Sequence, residues 1–469
     1  MKRTITGWLK SASVGIALTL TTTGLVRAET LAETLVSAYE YSGLLDQNRA
    51  LLRAADEDAA QILAALRPII NYSLDVTRTF GRTQNGLGRS GIASQDVNIG
   101  ISLELLLFDG GQTRFQLESA KESVLATREA LRSVEQQVLL RAVAAFQDVR
   151  RNQEFVSLRN NNLRLLRQEL RAARDRFEVG EVTRTDVAQA EARLAGAQSE
   201  FAAAQGDLTQ AIEEFRAAVG RPPGTLQPPR QLPNLSGDVE AAAQIAVRGH
   251  PDILQAQREV AAAELNVLAA DAAKKPRANL VGSLGAGEEI GGDDFSRTGS
   301  FGVQVTGPIY QGGRISSLTR EAMAQRDASR GNLHEVRHRI VQDVGNAYAV
   351  LRASRAQRAA SSEQVRAAEI AFRGVREEAT LGARTTLDVL DAEQELLDAR
   401  ANMISAEADV VIAAYSVLAA IGQLTAKDLN LDVQLYDPAA YYNLVKDAPV
   451  PISPQGQKLE RVLRALGKE

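Results

Sequence analysis

The chain has 469 residues, 54 Lys+Arg against 58 Asp+Glu, and no cysteine. Loss of residues 1–28, read below as a leader, would leave 50 cations against the same 58 acids, a net charge of −8 that gives no support to a nucleic-acid partner. Without cysteine there is neither a disulfide nor an N-terminal Cys to carry a lipid anchor, so an exported chain of this size must be held by packing or assembly.

Met1, Lys2, Arg3 and Lys10 precede a weakly apolar run from Val14 to Val26. Val26-Arg27-Ala28 then places apolar or small residues three and one before a cut, the pattern of a secretory signal peptide cleaved after Ala28. The run is short for a hydrocarbon core of about 30 Å, and no stretch of about 18 apolar residues follows it. If the mature chain enters a membrane, it does so as β-structure.

A helix is predicted from Leu31 to Leu66, ending before Pro68. Ile70, Tyr72, Leu74, Val76 and Phe80 then alternate with Asn71, Ser73, Asp75, Thr77 and Thr79. After a Gly/Ser/Asn-rich loop from Gly81 to Gln95, Val97, Ile99, Ile101, Leu103 and Leu105 alternate with Asn98, Gly100, Ser102 and Glu104. Segments of about ten residues, apolar on one face and polar on the other, suit outer-membrane barrel strands and also an ordinary half-buried sheet.

No proline occurs from Gly111 to Gly180, so the stretch can be one helix, roughly 100 Å long at about 1.5 Å per residue. Val124, Leu131, Val138 and Ala145 are spaced by seven, and after a step of four the series resumes as Val149, Val156, Leu163, Leu170 and Phe177. Sevens interrupted by a four describe coiled-coil packing with a local unwinding. Gly180 stops this helix and Thr183-x-x-Asp186 has the spacing of a capping box for a returning one.

Prolines at 222, 223, 228, 229 and 233 break the chain, and then everything recurs. Leu107-Phe108-Asp109-Gly110-Gly111-Gln112 returns as Ile309-Tyr310-Gln311-Gly312-Gly313-Arg314, 202 residues later. Gly180 and Thr183-x-x-Asp186 return as Gly382 and Thr385-x-x-Asp388 at the same offset. One architectural unit is used twice. The second pair of strands is weaker: Arg277 to Gly287 is Gly-rich, and Phe301, Val303 and Val305 alternate with Gly302, Gln304 and Thr306. The divisions are a leader (1–28), a first repeat (29–219), a linker (220–250) in which a short helix and loops follow the prolines up to Pro251, a second repeat (251–422) and an irregular C-terminal segment (423–469) with a mobile tail from Ala448. Four strands cannot close a barrel, for which about eight are needed, and an open edge is forbidden in lipid. If the strands span a membrane, the chain must oligomerise.

The double repeat, the Gly-Gly junctions and the two tip motifs, above all Gly382-Ala383-Arg384-Thr385 with Asp388-Val389-Leu390-Asp391-Ala392, resemble the TolC-type outer-membrane efflux proteins over essentially the whole mature length. The resemblance implies a mainly α fold with a small β part: a tandem-repeat protomer of long coiled-coil helices and two β-hairpins. Three copies would form an α-helical barrel in the periplasm topped by a 12-stranded β-barrel in outer-membrane lipid. The Pro-rich linker and the C-terminal segment would form an equatorial belt. It further implies an exit duct for efflux or type I secretion, docking to a periplasmic adaptor (membrane fusion) protein and an inner-membrane RND, ABC or MFS pump, with no cofactor. Asp388 and Asp391 would line a constricted entrance, six carboxylates in a trimer. For Asp388 the capping role is an equal alternative, whereas Asp391 lies one turn beyond the cap. Gating links would join Arg384 to Thr185 and Asp186, while the family's tyrosine is replaced by Ala379. Gly110, Gly111, Gly312 and Gly313 would mark the strand-to-helix junctions, Gly180 and Gly382 the hairpin tips.

His334-Glu335-Val336-Arg337-His338 fits the zinc-protease pattern H-E-x-x-H, but only His250 remains as a further histidine, the motif sits within a rod, and its first-copy counterpart lacks it. A zinc hydrolase is therefore declined and no catalytic or metal site is assigned. The alternative to a duct is a soluble periplasmic coiled-coil adaptor or spacer, which would explain the rods and the leader but not two separated hairpins of alternating pattern.

Overall fold

The structure, a computed structural model, describes residues 29–465 apart from 86–87, 230 and 236. The signal peptide lies outside these residues. The order is α1 (Leu31–Tyr41), α2 (Gly43–Ala64), β1 (Ile69–Asn85), β2 (Gly88–Phe108), α3 (Gln112–Glu178) and α4 (Arg184–Val219). The second copy follows as α5 (Val239–Gly249), α6 (Pro251–Ala272), β3 (Arg277–Glu289), β4 (Phe295–Thr306), α7 (Arg314–Thr380) and α8 (Thr386–Ala420), with α9 (Ala440–Val445) and α10 (Pro454–Ala465) at the end.

The repeat runs deeper than the sequence motifs. α1 and α5 have 11 residues each, α2 and α6 have 22, and α3 and α7 have 67. At about 1.5 Å per residue the long pair are rods of roughly 100 Å. α5 is thus the counterpart of α1 and is the short helix expected within the stretch 220–250. The second copy begins at Val239 rather than at Pro251.

Three further expectations are corrected. The single helix from Leu31 to Leu66 is two, because Ser42 is extended (ψ 105°), closes α1, and caps α2 by accepting from Leu45 N at 3.3 Å. His250 repeats this between α5 and α6, its Nδ1 accepting from Asp252 N at 3.2 Å. The loop from Gly81 to Gln95 is largely strand: β1 and β2 pair from Ile69↔Glu104 out to Asn85↔Gly88. Small polar residues can continue an antiparallel ladder past any apolar band, since both faces there meet water. The C-terminal segment carries α9 and α10 and is tied to α2 and its exit. Tyr441 Oη donates to Glu57 at 2.6 Å, Arg67 Nη1 to the Ala448 carbonyl at 2.8 Å, and Arg67 Nη2 to the Asp447 carbonyl.

The four strands form one antiparallel sheet in the order β1-β2-β3-β4. Its register aligns apolar rows, such as Tyr72↔Ile101↔Leu284 and Ile70↔Leu103↔Gly282↔Phe301. The other face is polar, with Asn71↔Ser102↔Ser283↔Ser300 in one row, where the last two hydroxyls lie 2.7 Å apart, and Asn279 donating to Glu104 at 2.8 Å in another. Tyr72, Phe80 and Phe301 are 86, 81 and 75% exposed, so among the described residues nothing covers the apolar face there.

The main core sits midway along the rods, where α1, α2, α5 and the C-terminal segment wrap α3, α4, α7 and α8. Leu35, Leu45, Leu52, Phe146, Phe215 and Leu424 are fully buried there. The predicted seam of α3 is buried at Val124, Leu131, Val138, Ala145, Val149, Leu163 and Leu170, is half-buried at Val156, and is exposed at Phe177 near the tip. α8 is, against expectation, long and apolar enough to cross a membrane. Its Val410, Val411, Ala414 and Val417 are buried in the protein instead.

Candidate functional site

At one end of the rods each long helix turns back on a glycine. Gly180 (φ 79°) donates to Phe177 O at 3.1 Å and Glu181 to Arg176 O at 2.9 Å. Gly382 (φ 77°) and Ala383 repeat this toward Ala379 O and Glu378 O. A Cβ would strain this left-handed backbone, which is why glycine ends both helices. The returning helices start with complete capping boxes. Thr183 N and Oγ1 donate to Asp186 at 2.8 Å each, and Thr385 N and Oγ1 donate to Asp388 at 2.9 and 2.8 Å. These bonds, from the threonine backbone first and its hydroxyl second, hold both carboxyls below the usual carboxylate range. At the other end Gly110, Gly111, Gly312 and Gly313 all have positive φ, and Asp109 closes the first junction by accepting from Gly111 N and Thr113 N at 2.9 and 2.7 Å.

The expected gating links are not formed within one chain. Arg384 Nε pairs with Glu378 of its own hairpin at 2.8 Å, Asp186 is taken up by its cap, and Thr185 is exposed. Besides the Arg151–Asp409 ion pair at 3.7 Å nearer the core and the packing of Leu390 on Leu163 and Leu166, an ion pair and a hydrogen bond toward the tip join the α3/α4 hairpin to the α7/α8 hairpin. Arg193 Nη2 of α4 meets Asp391 Oδ1 of α8 at 2.7 Å, both side chains about half exposed. Asn162 Nδ2 of α3 donates to Glu393 Oε1 of α8 at 2.7 Å, both residues buried. His334, Glu335 and His338 stand exposed on α7, and no third ligand approaches among the described residues.

The family description "Outer membrane efflux protein" matches residues 35–221 and 242–423. The chain is 38% identical over 441 residues to the outer membrane efflux protein BepC of Brucella suis, covering 94% of this chain and 95% of that one. This chain belongs to the outer membrane efflux protein family. It is also 27% identical over 305 residues to the alkaline protease secretion protein AprF of Pseudomonas aeruginosa, covering 63% of each. Its fold matches the outer membrane channel CmeC of Campylobacter jejuni with a TM-score of 0.74 at 16% identity, covering 89% of both chains.

The efflux protein therefore places its sheet in the outer membrane and its helices in the periplasm, as an exit duct, and the soluble-spacer alternative is set aside. Family members are channel proteins that work with partners across the envelope. The Arg193–Asp391 and Asn162–Glu393 contacts were not legible in the sequence. Glu393 had a visible sign: with Val389, Leu390, Leu396 and Leu397 it falls on the buried stripe of α8, a charge where the helix is otherwise apolar. Arg193 had none, being an ordinary exposed cation until the hairpins are placed side by side.

Proposed function

We propose that three copies of this efflux protein close a twelve-stranded barrel and a helical tunnel whose periplasmic entrance is narrowed by Asp388 and Asp391. The observation that carries this reading is the sheet: four strands per chain, an exposed apolar band across one face, and the outer edges of β1 and β4 unpaired among the described residues. An open edge is not tolerated in lipid, so neighbouring copies must supply the missing partners. Adaptor and pump dock at the periplasmic end, and the cargo follows from which pump is present. The alkaline protease secretion relative makes a protein substrate reasonable alongside small molecules.

At the entrance the two aspartates differ. The cap bonds favour the ionised form of Asp388 and leave it unpaired with any cation on the α3/α4 hairpin among the described residues, whereas Asp391 arrives paired with Arg193. Opening that draws α4 from α8 would unmask the second carboxylate and deepen the negative potential. Between neighbouring copies, Arg384 can exchange Glu378 for Thr185 and Asp186, which supports a second set of closing links.

The test is ion selectivity in planar bilayers. Asp388→Ala with Asp391→Ala weakens cation selectivity and abolishes block by trivalent cations, and Asp388→Ala alone does more in the resting channel than Asp391→Ala alone. Unchanged selectivity with a lowered melting temperature would reduce both residues to helix caps and refute the acidic entrance.

A further inference from the structure

We propose that Glu393 is a proton-operated gating residue: protonated, it seals α8 onto Asn162 of α3 and holds the two hairpins together, and ionised, it drives them apart. The inference rests on the entrance reading above and assigns its control to a residue outside the acidic rings.

Glu393 is only 5% exposed and lies between two small cavities of about 130 and 210 Å³, the first also lined by Arg193. Its Oε1 accepts from Asn162 Nδ2 at 2.7 Å, a bond across 231 residues that connects one hairpin to the other. Its Oε2 is buried with no partner among the described residues. A neutral carboxyl tolerates that position; an anion there has one hydrogen bond where it could accept several, and no ion pair. Burial of this carboxyl is not common to both copies of the repeat. Glu191, the counterpart in the first copy, is exposed and paired with Arg174 at 2.5 Å.

The charges around it are mixed and do not neutralise it. α3 contributes Glu169, α4 Arg193 and Glu200, α7 Glu369, Arg373 and Arg376, and α8 itself Arg400. Burial is the largest influence and pushes the carboxyl up to about 7, against the Asn162 bond, with Glu169 adding to the rise and Arg376 opposing it. Once the hairpins separate and water enters, the value falls back toward the ordinary 4.5. Because it is raised in the closed arrangement, closure is fully favoured below about 4.5 and is lost as pH rises through about 7. The closed-to-open ratio falls by up to about tenfold per pH unit for each copy across that window.

The test uses the full chain reconstituted in planar bilayers between pH 5 and 8. Wild type opens as pH rises. E393Q, which keeps the shape and the bond to Asn162 but cannot ionise, stays near the low-pH value throughout, with its cation selectivity intact. Asn162→Ala keeps the response but moves its midpoint to higher pH, since the anion loses its donor. A purely structural role for Glu393 would not move that midpoint. The proposal is overturned if E393Q retains the wild-type pH response, if opening falls with pH, or if Asn162→Ala leaves the midpoint in place. Those outcomes leave the duct intact, whereas a wild-type chain that forms no pores would refute the entrance reading itself.

Discussion

Removing Arg193 should open the resting channel, and the size of the effect follows from the contact. Its guanidinium meets Asp391 at 2.7 Å with 42 and 57% of the two side chains exposed, so each tie is a surface ion pair worth about 0.2–1 kcal/mol. In the proposed trimer three such ties act on one entrance, giving roughly 0.6–3 kcal/mol in favour of closure. At about 1.4 kcal/mol per factor of ten, Arg193→Ala raises the open-to-closed ratio roughly 3- to 100-fold. Screening sharpens the test, because the Debye length shrinks from about 10 Å at 0.1 M salt to about 3 Å at 1 M. Single-channel recordings of wild type, Arg193→Ala, Asp391→Ala and the double variant, at both salt concentrations, make the measurement. The open probability of the double variant should match that of Arg193→Ala, with the difference from wild type shrinking at high salt. An unchanged open probability at 0.1 M, or single effects that simply add, would show that this pair does not hold the hairpins together.

Arg384→Ser should also raise the resting conductance, through links between copies, since within the chain its partner Glu378 lies on the same hairpin. No change would place closure wholly on the ties within each chain. Asp56 is fully buried on α2 with neither carboxylate oxygen partnered among the described residues, and burial pushes it up to about 6 despite the opposing charge of Arg128. Its raised value makes ionisation a penalty that grows as pH rises from about 4 through about 6. Asp56→Asn should therefore raise the melting temperature at pH 8, by removing about 1–3 kcal/mol of desolvation cost, and leave it nearly unchanged at pH 4. A rise of equal size at both pH values would contradict the assignment.

Much of this architecture was legible because its determinants are local. Gly180 and Gly382 end helices through their own backbone conformation, and Thr183 and Thr385 cap their successors through a carboxylate three residues away. The seven-residue spacing from Val124 to Ala145 names the buried seam without knowledge of what packs on it. What was not legible depends on distant placement. Arg193 finds Asp391 across 198 residues and Asn162 finds Glu393 across 231, so neither pair exists until the two hairpins lie side by side. The break at Ser42 turns on one hydroxyl accepting from Leu45, in a stretch whose apolar pattern continues on both sides. The strands beyond Gly81 were hidden because a ladder in water needs no apolar alternation, and the Gly/Ser/Asn content reads as loop.

The outer edges of β1 and β4 demand partners from other copies, and the most direct measurement is the mass of the full mature chain extracted from outer membranes in mild detergent. Native mass spectrometry should find a particle of three chains that resists dissociation, because each edge strand is then paired within a closed barrel. A monodisperse single chain would leave two bare edges in the hydrocarbon and contradict both the barrel and the entrance built from its three copies.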